Sequence, residues 1–371
     1  MSITRLQISN LRNLKKVGLQ LGPTFNFFFG ENGAGKTSLL EALYIIHAGR
    51  SFRTSDLNKV ISSSESALTV FLERQSEEEG VTKIGLMRER SGGFSAKVDG
   101  ENVSTLSQLS ALLPTQILSP ESFSLLSGGS KERRKYIDWG VFHVEHSFHN
   151  LWRRCQRLLV QRNSLLKRRV SHRELQPWDK EFSSVAHELN LLRQRYIDKL
   201  LPYFSTLAQA FFPEYEVKFS FHPGWNQSET LADVLSRDIE RDQKYGHTQS
   251  GPHRANFHIR VNGQAAESIC SRGQLKLLVC CLKLAQAKHL FEWRGLKPVF
   301  LLDDIESELD GTNRQRVLEQ LRTLGSQVLI SLINVEAISE QLEESDRVFH
   351  VEQGYITPWQ IKGDNTTNNN D

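Results

Sequence analysis

Hydrophobic and polar positions change rhythm along the chain, and each rhythm predicts a different kind of element. ITRLQISNL at 3–11 alternates, and VGLQL and FNFFF follow as short apolar runs, so three strands are expected before residue 30. After a loop at 30–37, SLLEALYIIHAG carries Leu39, Leu40, Leu43 and Ile46 at helical spacing, with Gly49 as terminator. LTVFLER, TKIGLMRE and FSAKVDG read as a strand meander broken at Gly80, Gly92, Gly93 and Gly100.

From about residue 120 the period lengthens. RRKYIDWGVF, the run from Phe148 to Arg169 and the run from Trp178 to Phe212 are helical, two or three long helices with breaks expected at Gly140 and around Pro177. Strand runs return at EVKFSF, FHIRVNG, PVFLL, QVLISL, RVFHVEQG and YITPWQI, with a helix at 275–292 and another at 312–324. The order α/β, then helices, then α/β predicts one nucleotide-binding domain split by a helical insert. The boundaries expected are 1–118, 119–212 for the insert, 213–362, and a polar, disordered tail at 363–371.

Composition changes this picture little. With 371 residues, 39% apolar and 24% charged, the chain has the make-up of a globular protein. It lacks a signal-peptide pattern and any apolar run long enough to span a membrane. Cys155, Cys270, Cys280 and Cys281 lack C-x-x-C spacing, which suggests reduced thiols in the cytoplasm.

Charge distribution changes it more. The net charge is only +3, but residues 131–173 hold twelve Lys/Arg against Glu132, Asp138 and Glu145, a local net of +9. A basic module on a mildly acidic body predicts a polyanionic partner such as DNA. The candidate phosphate contacts are Arg133, Arg134, Lys135, Arg153, Arg154, Arg157, Lys167, Arg168 and Arg169.

The loop at 30–37 reads GENGAGKT, a G-x-x-x-x-G-K-[ST] pattern between a strand and a helix. Gly30, Gly33 and Gly35 let the backbone turn its N–H groups inward, Glu31, Asn32 and Ala34 complete the turn, and Ser38 continues the helix start. Lys36 reaches β- and γ-phosphates and Thr37 is placed to ligate Mg²⁺. Far downstream, PVFLLDDIESELD ends a strand in Asp303, a second Mg²⁺ ligand, and Asp304, placed to orient or deprotonate an attacking water. Lys36, Asp303 and Asp304 are thus the catalytic candidates. Between these motifs Ser271, Arg272, Gly273 and Gln274 open the helix at 275–292. A plain helix cap explains Ser271 taken alone.

The order of a phosphate loop, then Ser-x-Gly-Gln, then an acidic strand end is similar to that of ABC-type ATPases. LQISNLRN, LSPESF, SGGSKERRKYIDWG, SGPHRANF, SRGQLKLL and LLDDIESELD together resemble the RecF family, DNA replication and repair ATPases related to chromosome-maintenance head domains. The resemblance covers nearly the whole chain. It implies a P-loop ABC-type ATPase head, with ATP and Mg²⁺ as cofactors and Arg12 and Asn13 near the nucleotide. It also implies that Ser271, Arg272, Gly273 and Gln274 contact ATP held by a second subunit, and that Ser307–Asp310 form a D-loop at the same interface. Implied partners are single-stranded, gapped or junction DNA, an ATP-dependent homodimer and mediators of RecR and RecO type. The implied roles are recombinational gap repair and SOS induction, with weak, DNA-stimulated hydrolysis.

The chain departs from the family pattern at Ser130, where proline is usual, and at Ala255 and Asn256, where acids are usual. Ser331 takes the place of a switch histidine, and Gln116 is a candidate Q-loop residue. The nucleotide subunit of a transporter, or a solitary P-loop kinase, remains an alternative at this point.

Overall fold

The computed structural model describes residues 1–360 apart from 55, 79, 337 and 339–341, so the expected tail at 363–371 lies outside the described residues. In chain order the elements begin with β1 (Ser2–Leu11), β2 (Leu14–Gln20), β3 (Phe25–Phe29) and α1 (Lys36–Ala48). They continue with β4 (Ala67–Ser76), β5 (Gly80–Glu89), β6 (Phe94–Val98), β7 (Glu101–Asn102), α2 (Leu106–Leu112) and β8 (Thr115–Leu118). Helices follow: α3 (Ser124–Ser127), α4 (Ser130–Val144), α5 (Phe148–Lys167) and α6 (His172–Phe211). Next come β9 (Val217–His222), α7 (Leu231–Arg237), α8 (Ile239–Tyr245), β10 (Asn256–Val261), β11 (Gln264–Ala265), α9 (Ala266–Ile269) and α10 (Arg272–Arg294). The last described elements are β12 (Val299–Leu302), α11 (Ile305–Glu308), α12 (Gly311–Leu324), β13 (Val328–Leu332), β14 (Arg347–Glu352) and β15 (Tyr355–Trp359).

These elements divide into two units. The first comprises residues up to Ser122 together with the chain from Leu296 onward, and the second is Phe123–Gly295. The expected insert ended at 212, yet residues 213–295, the Ser-x-Gly-Gln helix among them, cluster with the helical unit. The physical reason is packing within that unit. The Tyr136 hydroxyl of α4 donates to the Leu282 carbonyl of α10 (2.8 Å), and Gln286 of α10 donates to the Tyr136 carbonyl (2.8 Å) and the Tyr196 hydroxyl of α6 (3.0 Å).

In the first unit, FNFFF and the runs at 299–302 and 328–332 are apolar without alternation because both faces of their strands are covered. They form a sheet ordered β15-β14-β3-β13-β12-β8, parallel except for the antiparallel edge strand β15. The alternating strands build a second, antiparallel sheet, β2-β1-β4-β5-β6-β7. Helix α1 packs against strands of both sheets, and its Leu39, Leu43 and Ile46 share a core with Leu6, Leu72, Phe28 and Leu301. Gly49 closes α1 in the left-handed conformation (φ 64°), as its position suggested.

In the second unit two expected helix breaks do not occur. α4 runs through Gly140, because a Cβ there would sit 2.0 Å from the Tyr196 hydroxyl and only glycine lets α4 lie so close to α6. α6 runs unbroken over 40 residues and contains both Pro177 and Pro202. Its start is set earlier, where Ser171 and Glu174 cap each other reciprocally. β9, β10 and β11 form a small antiparallel sheet in the same unit. The four cysteines remain thiols, and burial raises those of Cys155 and Cys280 to about 12.

Candidate functional site

The parallel sheet brings the phosphate-loop and acidic motifs together. β3 and β12 lie on either side of β13, so Gly30, Asp303 and Ser331 emerge near each other at the carboxyl ends of adjacent strands. There a cleft of about 640 Å³ is lined by Asn32, Gly33, Gly35, Lys36, Thr37 and Ser38 from the loop, and by Asp303, Asp304 and Ser331 opposite. Gly30 has φ 149°, and a Cβ on it would lie 2.1 Å from the Val351 carbonyl, so the turn out of β3 requires glycine.

The polar groups of the cleft bond to each other. Lys36 Nζ donates to the carbonyls of Gly30 (2.5 Å) and Glu31 (2.8 Å). Burial lowers its pKa, and the carboxylates of Asp304, Asp303 and Glu306 oppose that shift. Thr37 Oγ1 and Ser331 Oγ both donate to Asp303 Oδ1, each at 2.8 Å. Ser331 Oγ also accepts the Asp304 N–H (2.9 Å), so one hydroxyl fixes both acids. Burial raises the Asp303 pKa against those two hydrogen bonds, and the neighbouring Asp304 raises it further. Asp304 itself is left-handed (φ 53°), a sparsely populated conformation for a non-glycine residue, and its Oδ2 accepts from Ser307 Oγ at 2.7 Å.

Arg12 and Asn13 also line the cleft. Arg12 donates from Nε and Nη2 to the two oxygens of buried Glu41, both at 2.9 Å. Asn13 donates to the carbonyls of Gly33 (3.1 Å) and Ala34 (3.0 Å) and accepts from Ser38 Oγ (3.3 Å). No motif pointed to Glu41, nor to Ser51, which donates to it, nor to Arg53 and Ile333 on the cleft wall, whereas Pro120 and Glu121, also on that wall, fall within the family-like stretch LSPESF. The one available hint for Arg53 was its place just after the end of α1. Gln116 is no cleft residue: it lies buried within β8.

In the helical unit, Ser271 caps α10. Gln274 N–H donates to Ser271 Oγ (3.2 Å), and Ser271 N–H donates to Gln274 Oε1 (2.8 Å). Arg272 and Gly273 are exposed. A Cβ on Gly273 would meet nothing nearer than Ser271 Oγ at 4.0 Å, so the chain's own packing does not require glycine there.

The basic segment sorts into two classes. Arg133 is buried, donating to Asn256 Oδ1 (2.7 Å) and to the carbonyls of Leu126 (2.9 Å) and Gly128 (2.8 Å), which removes it from the candidate phosphate contacts. Arg162, counted in the local charge, is fully buried and bonded to Asp179 (2.6 Å), Asp242 (2.7 Å) and Thr248 (2.8 Å). Arg134 is half-buried and donates to Ser130 Oγ (2.8 Å) and the Ala255 carbonyl (2.9 Å). Lys135 pairs with Glu132 (2.5 Å), and Arg154 with Glu181 (2.8 Å). Arg153, Arg157, Lys167, Arg168 and Arg169 are exposed along and just beyond α5, a helix without a single acidic residue.

Residues 2–357 match the family described as RecF/RecN/SMC N terminal domain. The DNA replication and repair protein RecF of Vibrio parahaemolyticus is 41% identical over 96% of this chain and 99% of its own. Among solved structures, the recombination mediator protein RecF with ATP in the RecFOR pathway superposes with a TM-score of 0.87 at 27% identity, covering 97% of this chain and 98% of its own. An Smc head bound to the C-winged helix domain of ScpA shares the fold, with a TM-score of 0.61 at 16% identity and 98% of each chain covered.

Proposed function

This chain belongs to the RecF family of the RecF/RecN/SMC N-terminal domain group, with the ABC-type ATPase fold, and from that premise we propose that it is an ATP-dependent DNA-binding protein of replication and recombinational gap repair. The observation that carries the reading is the chain of contacts Thr37–Asp303–Ser331–Asp304 facing Lys36 across one cleft.

ATP fits this cleft chemically. Lys36 has two carbonyl partners to exchange for phosphate oxygens, and the start of α1 adds backbone donors. Mg²⁺ fits as well: Thr37 and Asp303 already converge as hard oxygen donors, and a magnesium site takes one or two protein oxygens with phosphate and water completing it. When bound, the ion supplies charge neutralisation of the phosphates. In this reading Asp304 orients or deprotonates the attacking water. Its side chain is one methylene shorter than glutamate and is held by Ser307, which favours slow turnover.

In this reading ATP drives dimerisation, with Ser271, the Gly273 N–H and Gln274 closing on the partner's nucleotide. The freedom around Gly273 supports that: a glycine that its own chain does not require suits the close approach of another molecule. DNA, single-stranded or gapped, lies on the unpaired cations of α5, and slow hydrolysis releases it. RecR- and RecO-type mediators and SOS induction belong to the same proposal, as does a cytoplasmic location. Among the described residues no helix is long and apolar enough to cross a membrane.

The test is sedimentation of wild type and Lys36→Arg with ATP and gapped DNA. A wild-type dimer that needs ATP and is lost in the variant is expected. A wild-type monomer under every condition refutes the clamp, and phosphate transfer to a small acceptor without any effect of DNA points to a kinase.

A further inference from the structure

The segment Gly251–Asn256 is held from several sides. Gly251 has φ 135°, and Gly224 approaches it so closely that a Cβ on Gly224 would lie 2.2 Å from the Gly251 carbonyl oxygen. Arg193 donates to the Pro252 carbonyl (2.9 Å) and grips Asp138 with two nitrogens, at 2.8 and 2.9 Å. Arg134 donates through Nη1 to the Ala255 carbonyl, and Arg133 ends on the Asn256 amide oxygen. Arg254, within the segment, is exposed and is steadied by Gln249 Oε1 (2.9 Å).

Four guanidiniums thus converge on one short stretch. Among the described residues the sole carboxylate on their hydrogen bonds, Asp138, is spent on Arg193. Arg133 is satisfied by carbonyl and amide oxygens, which carry no charge. Among the described residues Arg134 Nε and Nη2, and Arg254 Nε and Nη1, have no acceptor. Burial lowers the Arg134 pKa, and repulsion from Arg193, Arg254 and Arg133 adds to that while Asp138 opposes it. His253 supplies no further charge near neutrality, since burial, with repulsion from Arg254, Arg134 and Arg162, pushes it to about 4.

We infer that Arg134 and Arg254 form a phosphate-binding subsite for the backbone of a nucleic acid, separate from the exposed cations of α5. Held at Nη1, the Arg134 guanidinium offers its Nε/Nη2 edge to two oxygens of one tetrahedral anion, and a second guanidinium beside it favours phosphodiester over a single carboxylate. The acid-free α5 in the same unit favours nucleic acid over an acidic protein. This inference rests on the DNA-binding reading above.

The experiment measures the dependence of DNA affinity on salt for wild type, Arg254→Gln, Arg254→Lys and Arg154→Gln. Removing one cation that neutralises a phosphate lowers the slope of log K against log [salt] by about 0.9 on duplex and about 0.7 on single strands. Arg254→Gln should lower the slope by about that one step, Arg254→Lys should restore most of it, and Arg154→Gln, whose arginine is already paired with Glu181, should change it least. ATP binding, followed with a fluorescent analogue, should match wild type in all three. An unchanged slope for Arg254→Gln, with wild type binding DNA, overturns the subsite alone. Failure of wild type to bind DNA overturns the DNA-binding reading and the subsite together. Loss of polyglutamate binding in Arg254→Gln with its DNA slope intact overturns the subsite in favour of an acidic protein partner.

Discussion

The nucleotide cleft and helix α5 both concentrate charge, but they use it in opposite ways. In the cleft the charged groups face a shared space and are held by partners they can exchange: Lys36 by two carbonyls, Asp303 by two hydroxyls. Along α5, cations one or two turns apart have unrelated fates. Arg157 is exposed, Arg154 is paired at the surface, and Arg162 is buried among Asp179, Asp242 and Thr248. A spacing motif therefore locates the cleft residues directly, whereas a charge count on a helix mixes binding groups with structural ones.

The sharpest way to break this contrast is to remove a structural cation. Arg162→Met should leave Asp179 and Asp242 buried without a counter-charge and destabilise the helical unit by about 3–5 kcal/mol. Denaturant unfolding would show it. A variant as stable as wild type would mean that Arg162 is no more structural than Arg157.

Buried histidines should make the same unit acid-sensitive. His289 is buried among the rings of Tyr196, Tyr203 and Trp293, with neither ring nitrogen partnered among the described residues, and burial lowers its pKa to about 4. Above the unfolded value of 6.5 both states are neutral and the group contributes nothing. As pH falls from 6.5 towards 4 the unfolded chain alone takes up the proton, so stability is lost by on the order of 2–3 kcal/mol. His289→Phe should flatten that slope while raising stability near neutrality by about 1 kcal/mol. Unfolding curves at pH 7 and 5 decide it, and parallel slopes in the two proteins would contradict it.

In the cleft, Lys36→Met should weaken ATP binding by roughly 10- to 100-fold, the worth of one or two charge-assisted hydrogen bonds, with little change in unfolding. Equilibrium binding of a nucleotide analogue measures it, and an unaltered Kd would exclude the phosphate role. Ser331→Ala removes the hydroxyl shared by Asp303 and Asp304. Turnover should fall by about tenfold while nucleotide affinity stays near wild type, and a parallel loss of both would show that Ser331 supports the loop itself. The smallest effect belongs to Arg157→Gln, which should reduce the salt slope of DNA binding by about 0.9 on duplex without touching stability. A large unfolding shift in that variant would place Arg157 with Arg162.

Much of the α/β unit was legible because its strands are single apolar or alternating runs with one reading each. FNFFF, PVFLL and QVLISL became neighbours in one parallel sheet, and the phosphate loop was written in its glycine spacing. The helical unit was less legible. Gly140 and Pro177 look like breakers, but Gly140 answers to Tyr196 on another helix, a demand that local sequence does not carry. Arg133 and Arg162 look like surface cations because one acceptor of each lies far along the chain, Asn256 and Asp242, 123 and 80 positions away. Glu41 and Ser51 belong to no spacing rule, Glu41 lying within α1 and Ser51 bonded to it from the turn that follows, and Arg53 from the same turn lines the cleft.

The reciprocal cap at the start of α10 has a further consequence for recognition. It uses the acceptor side of Ser271 Oγ and the carbonyl oxygen of Gln274 on the chain's own N–H groups. Among the described residues the Ser271 proton, the Gln274 NH₂ and the Arg272 guanidinium have no acceptor, and the Gly273 N–H is one of the orphan donors of a helix start. The loop therefore presents a surface of hydrogen-bond donors almost free of acceptors. In the proposed dimer such a surface would discriminate by polarity, favouring phosphate oxygens over ammonium groups and other helix starts.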